Sequence, residues 1–314
     1  MNLIGKLQPI IIIAAALLGL AAGNFTVLGI VSADFIEVFL MLLLYVLFLS
    51  VDLKQLKKSL TNIRYTTAAV AINFIITPIV AYLLGKIFFA DSIDIRIGLL
   101  MLLVTPCTDW YLVFTGLSKG NVELNMSILP LNLILQIALM PVYLLIFMES
   151  EVAMDVASLL GSIVFVLLIP FLLSVLTKKI TKNDQRFRDF ISAQCDNLQL
   201  VFLCLAVIMM FASEGRNLLD NPMLLLEMFV PLMIFFIVTF LIAQAVGRVL
   251  KFPKKDIVAL NFTTLARNSP LSLAIAVATF PEQPMIALAL VIGPLIELPV
   301  LSVVSGVLKR WNER

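Results

Sequence analysis

The sequence predicts an all-α integral membrane protein of ten transmembrane helices. They form two inverted five-helix repeats, with helices 4 and 9 broken and crossing at the bilayer midplane. Three observations predict this class. The 314 residues are 61% hydrophobic and 13% charged, with mean hydropathy +1.09, far from the composition of soluble domains. The apolar stretches run about 20 residues unbroken, which suits helices rather than the short alternating strands of a barrel. Two of those stretches, VTPCTDW and LARNSP, carry a proline and charge in their middle.

Inside lipid every backbone N–H and C=O must find an internal partner, so the apolar stretches are expected to be helices. In order they fall at about 8–24, 34–51, 65–89, 96–118, 122–147, 155–176, 197–213, 223–247, 255–280 and 284–308. The first could be read as a signal peptide, but an even span number needs it. The longest gap, 177–196, reads as a charged connector. No stretch outside the spans is long enough for a soluble domain.

Cations orient the chain. With both termini cytoplasmic, the inner segments hold nearly all of the 22 Lys and Arg. The outer segments hold only Lys86, Arg96 and Arg216, and Arg267 lies within a span. That asymmetry follows the positive-inside rule. A plasma-membrane protein with N- and C-termini inside is expected.

Ten spans divide at about residue 150 into repeats 1–150 and 151–314. Five spans invert the chain, so the second repeat enters with opposite orientation, the common plan of secondary transporters. Pro9 and Pro170, Gly85-Lys86 and Gly247-Arg248, and the two proline motifs share an offset of about 160 residues.

Pro106 and Pro270 lack an N–H and crowd the preceding turn. Broken helices at membrane depth are tolerated where protein or a water-filled cavity meets the freed groups. Two repeat-related breaks therefore point to one substrate site, framed by Pro106, Thr108, Ser269 and Pro270. Asp109 and Arg267 carry opposite charge at related positions. A lone charge mid-span costs roughly 2.5–3.5 kcal/mol on the insertion scale, so the two are expected to meet, as a structural bridge or with Arg267 facing a substrate. Asn268 stands at the second break. Cys107 stands at the first, where its sulfur would suit a soft, thiophilic element. Glu297, between Pro294 and Pro299, is a candidate proton carrier. Asn73, Asn132, Gln136, Gln244 and Asn261 also lie within spans and are expected to bond helix to helix.

Three cysteines and no histidine exclude a disulfide scaffold and most transition-metal sites. No Walker loop, GxGxxG or HExxH occurs, and no nucleophile–base pair points to an enzyme. No cofactor and no nucleic-acid partner is expected. The lipid bilayer is the expected surrounding.

These residues resemble the bile acid/sodium symporter superfamily, and within it the arsenical-resistance permease branch. Pro106-Cys107-Thr108, followed after seven residues by Gly116-Leu117-Ser118-Lys119-Gly120, matches that branch, as does Ile296-Glu297-Leu298-Pro299-Val300. The resemblance implies a core of spans 3–5 and 8–10 beside a panel of spans 1, 2, 6 and 7. It also ties Cys107 and Glu297 to arsenite export. Two departures stand out. The sodium-binding Ser-Asn pair of the symporters falls on Tyr111 and Leu112, and their Glu-x-x-x-Gln-Asn falls on Thr263, Arg267 and Asn268. A sodium-binding acid is thus a threonine and a sodium-binding amide an arginine, so proton coupling is expected before sodium coupling. The permeases themselves carry small or apolar residues at Asp109 and Arg267 and an acid near Ser272, which places this chain on a side branch. The leading expectation is an arsenite or related metalloid efflux permease. The alternative is a carrier of a small organic anion whose carboxylate Arg267 would hold.

Overall fold

A computed structural model describes residues 3–23, 26–50, 61–108, 110–148, 156–181, 184–220 and 223–313. Among them every regular element is a helix: α1 (Leu3–Ala22), α2 (Thr26–Ser50), α3 (Ile63–Phe88), α4 (Ile93–Leu103), α5 (Trp110–Leu117), α6 (Val122–Met148), α7 (Val156–Ile180), α8 (Gln185–Asp220), α9 (Met223–Val249), α10 (Lys254–Leu265), α11 (Ser269–Thr279) and α12 (Pro284–Glu313). Four of them, over Ile63–Phe88, Val122–Phe147, Met223–Val249 and Pro284–Glu313, are long and apolar enough to cross a bilayer. Gln185–Cys195 and Asn197–Ser213 form a further such pair, bent by 51°.

The expected connector 177–196 is mostly helix. α7 continues to Ile180, and α8 starts at Gln185. Asp184 accepts the Phe187 N–H at 3.1 Å and so caps the start of α8. No proline or glycine interrupts the chain from Gln185 to Glu214, so polar composition alone did not stop the helix.

The chain forms two compact units. One comprises α1, α2, α7, α8, α11 and the first turns of α12. Within it α8 packs along α2 and α1, and α2 packs along α7. Gly19 makes the α1–α8 approach possible, since a Cβ there would stand 2.6 Å from the Ile208 carbonyl oxygen. Lys178 donates to the Phe48 carbonyl at 2.9 Å, and Tyr45 and Thr177 share a hydrogen bond of the same length.

The other unit comprises α3–α6, α9, α10 and the rest of α12. Here α3 widens into a π-helical turn at Ile72–Ile76. The physical cause lies in Pro78, which has no N–H to give the Phe74 carbonyl four residues back. The Tyr143 hydroxyl of α6 donates to that carbonyl at 2.7 Å instead. The wide turn carries Asn73, which is fully buried. α5 and α10 run against each other, with Phe114 and Phe262 stacked at 5.9 Å. Their ends away from the proline breaks are pinned by Asn121, which donates from its backbone to Lys255 O at 3.0 Å and from its side chain to Asp256 at 2.8 Å. Gly293 of α12 faces Leu102 of α4, where an added Cβ would come within 2.7 Å of the leucine methyls. Glu297 is four residues on, over the same helix face.

Candidate functional site

Both proline motifs interrupt their helices. α4 stops at Leu103 and α5 begins at Trp110, while α10 stops at Leu265 and α11 begins at Ser269. At the second break Ala266 is extended, with φ −74° and ψ 138°. The two loose segments lie antiparallel and satisfy each other. Cys107 N–H donates to Ala266 O at 2.9 Å, and Asn268 N–H donates to Thr105 O at 2.7 Å. This makes Pro106 and Arg267 an isolated antiparallel β-bridge. Pro106 occupies the non-hydrogen-bonded position of the pair, where a missing N–H costs nothing. The Thr105 hydroxyl turns back to the carbonyls of Met101 and Leu102 at 3.0 and 3.1 Å, covering the end of α4.

Arg267 is the best-held side chain of the site, 2% exposed. Its guanidinium donates to Leu103 O at 2.8 Å, Leu265 O at 3.2 Å and Asn73 Oδ1 at 3.2 Å, and also to Thr264 O. Leu103 is the last residue of α4, and Thr264 and Leu265 are the last of α10, so one cation covers the C-terminal carbonyls of both half-helices. That is where the helix dipole favours positive charge. The face of Phe235 in α9 lies 5.3 Å from the guanidinium carbon. Glu297 is 3% exposed, and its Oε1 accepts the backbone N–H of Arg267 at 2.9 Å.

Cys107 is buried, and its sulfur accepts the Trp110 N–H at 3.3 Å, at the start of α5. Thr108, Asn268 and Ser269 are buried as well, and Pro270 is half-buried. The site therefore gathers Pro106, Cys107, Arg267, Asn268 and Glu297. Asp109, the expected partner of Arg267, lies outside the described residues.

Asn73 is a site residue that the sequence reading treated as a helix–helix contact. Its carbonyl oxygen holds Arg267, and its amide donates to Thr263 O at 3.1 Å. The signal for it was the asparagine five residues ahead of Pro78, where a widened turn is expected to display it. Thr263 in turn accepts from Asn132 at 3.3 Å through its hydroxyl. Tyr111 donates its hydroxyl to Asn125 O at 3.0 Å.

The pattern of the Sodium Bile acid symporter family matches residues 37–221, more than half of the chain. The chain belongs to this family. It is accordingly a multi-pass membrane transporter and not an enzyme. Among curated relatives, the arsenical-resistance protein Acr3 of Corynebacterium glutamicum is 23% identical over 83% of this chain and 74% of its own length. The arsenical-resistance protein Acr3 of Alkaliphilus metalliredigens is 24% identical over 85% of this chain and 78% of its own. The uncharacterized protein YbaS of Bacillus subtilis is 25% identical over 84% and 85%.

The family's name implies sodium, and the described residues at the paired helix ends do not fit that ion. A hard cation takes oxygen ligands, commonly including carboxylate. The oxygens converging at the two helix ends are already engaged by Arg267, and Glu297 is turned to a backbone N–H.

Proposed function

We propose that the protein is a secondary transporter that exports arsenite or a related trivalent metalloid across the plasma membrane. The single observation that carries the reading is the place of Cys107: a buried thiol in the unwound segment between α4 and α5, beside the bridge with Arg267. A soft ligand at a helix break is suited to a thiophilic solute. Similarity to two arsenical-resistance proteins supports the same substrate class.

In this reading ten spans form two inverted repeats, 1–150 and 151–314, with both termini cytoplasmic and the breaks near the bilayer midplane. A core of spans 3–5 and 8–10 rocks against a panel of spans 1, 2, 6 and 7. Glu297 carries the coupling proton. The organic-anion alternative draws less support, because the Arg267 guanidinium already donates to four protein oxygens.

The test is growth of an arsenite-sensitive host expressing the wild type or Cys107→Ser at equal protein level, with intracellular arsenic measured. The wild type is expected to restore growth and lower cell arsenic, and Cys107→Ser to lose both. Undiminished tolerance in the variant removes Cys107 from the mechanism.

A further inference from the structure

We infer that the Arg267 guanidinium is a built-in cation that takes the place of an exchangeable metal ion at the paired helix breaks, so that this family member works without sodium. The inference holds whichever solute is carried, and its test does not depend on arsenite.

The argument begins with the two half-helices. A helix end leaves its last carbonyls without intrahelical partners and concentrates negative partial charge there. α4 and α10 both end at the bridge, and their terminal carbonyls, from Leu103, Thr264 and Leu265, turn to one point. Asn73 adds a side-chain oxygen from the π-turn of α3. Four neutral oxygens from three segments of chain make a set that calls for a cation.

The guanidinium answers that demand permanently. It stays charged at any physiological pH, it is tethered, and Phe235 covers its face. Of its five N–H groups, four bonds to protein oxygen are made. A sodium ion on the same oxygens would have to displace the guanidinium and would then sit beside an unpartnered buried charge. Among the described residues, Glu297 spends its Oε1 on the Arg267 backbone N–H rather than on the converging carbonyls. The neighbouring Thr263 and Asn132 side chains bond to one another.

A variant without the guanidinium tests this directly. Arg267→Ala should leave an oxygen-lined space that a free cation can enter. Purified in detergent, the variant is expected to melt several degrees below wild type. Methylguanidinium chloride or sodium chloride at low millimolar concentration should return part of the loss in a saturable way, while choline chloride should not. The wild type should melt at the same temperature in sodium as in choline. A saturable rise of the wild-type melting temperature in sodium over choline overturns the inference. So does an Arg267→Ala protein that is as stable as wild type and indifferent to all three cations. If Arg267→Ala cannot be purified, Arg267→Lys and Arg267→Gln replace it. A lysine variant more stable than the glutamine variant supports a cation requirement, and a glutamine variant equal to wild type overturns it.

Discussion

Glu297 offers the sharpest separation of structure from transport. Its Oε1 accepts a buried backbone N–H from Arg267 at 2.9 Å. Glutamine keeps an oxygen at that position but carries no titrating proton, whereas alanine removes the acceptor. A hydrogen bond to a charged group contributes about 1.5–3 kcal/mol and a neutral one about 0.5–1.5 kcal/mol. Glu297→Gln should therefore cost about 1 kcal/mol. Glu297→Ala orphans the N–H, at about 1–3 kcal/mol, and opens a cavity between α12 and the bridge. The assay is thermal unfolding of the purified protein followed by tryptophan fluorescence, paired with transport into vesicles under an imposed pH gradient. The expected order of stability is wild type, Gln, then Ala, with the glutamine variant folded but no longer driven by the gradient. If Glu297→Ala melts with the wild type, the N–H does not depend on the carboxylate. If Glu297→Gln responds fully to the gradient, Glu297 carries no coupling proton.

Three other outcomes are expected. Tyr143→Phe leaves the Phe74 carbonyl without its donor and should destabilise the protein by about 1–3 kcal/mol, read as a lowered melting temperature. Gly19→Ala places a Cβ 2.6 Å from the Ile208 carbonyl oxygen, so α1 must shift away from α8. The cost should be about 1–3 kcal/mol, checked by the same melt, whereas Gly161→Ala, where a Cβ meets nothing within 4 Å, should show no such loss. Cys107→Ser should melt close to wild type, because serine keeps an acceptor for the Trp110 N–H, while arsenite tolerance falls to that of the empty host.

Much of the site was legible along the chain. The helical membrane class followed from composition. The two interruptions followed from Pro106 and Pro270, because a missing N–H is a local property that the sequence states outright. Cys107 and Arg267 were expected at the paired breaks, since polar groups in apolar spans need company, whereas the contact of Glu297 with the Arg267 N–H was not marked along the chain. The partners of Arg267 were less so. The expected partner was an acid, Asp109, which lies outside the described residues. The partners observed are three main-chain carbonyls, one asparagine and an aromatic face. Every residue carries a carbonyl, so no pattern of side chains marks which ones turn to a common point. Asn73 was hidden for a related reason, since its role depends on a π-turn set by Pro78 and completed by Tyr143 from another helix.

By itself, then, the sequence determined that this chain is helical and lipid-embedded and that two of its helices break, because hydropathy and proline chemistry act over a few neighbouring residues. Only the tertiary structure decided that the breaks pair as antiparallel backbone and that one guanidinium closes both helix ends. The bonds that cross between the two breaks join residues about 160 positions apart, and packing alone sets which freed groups meet.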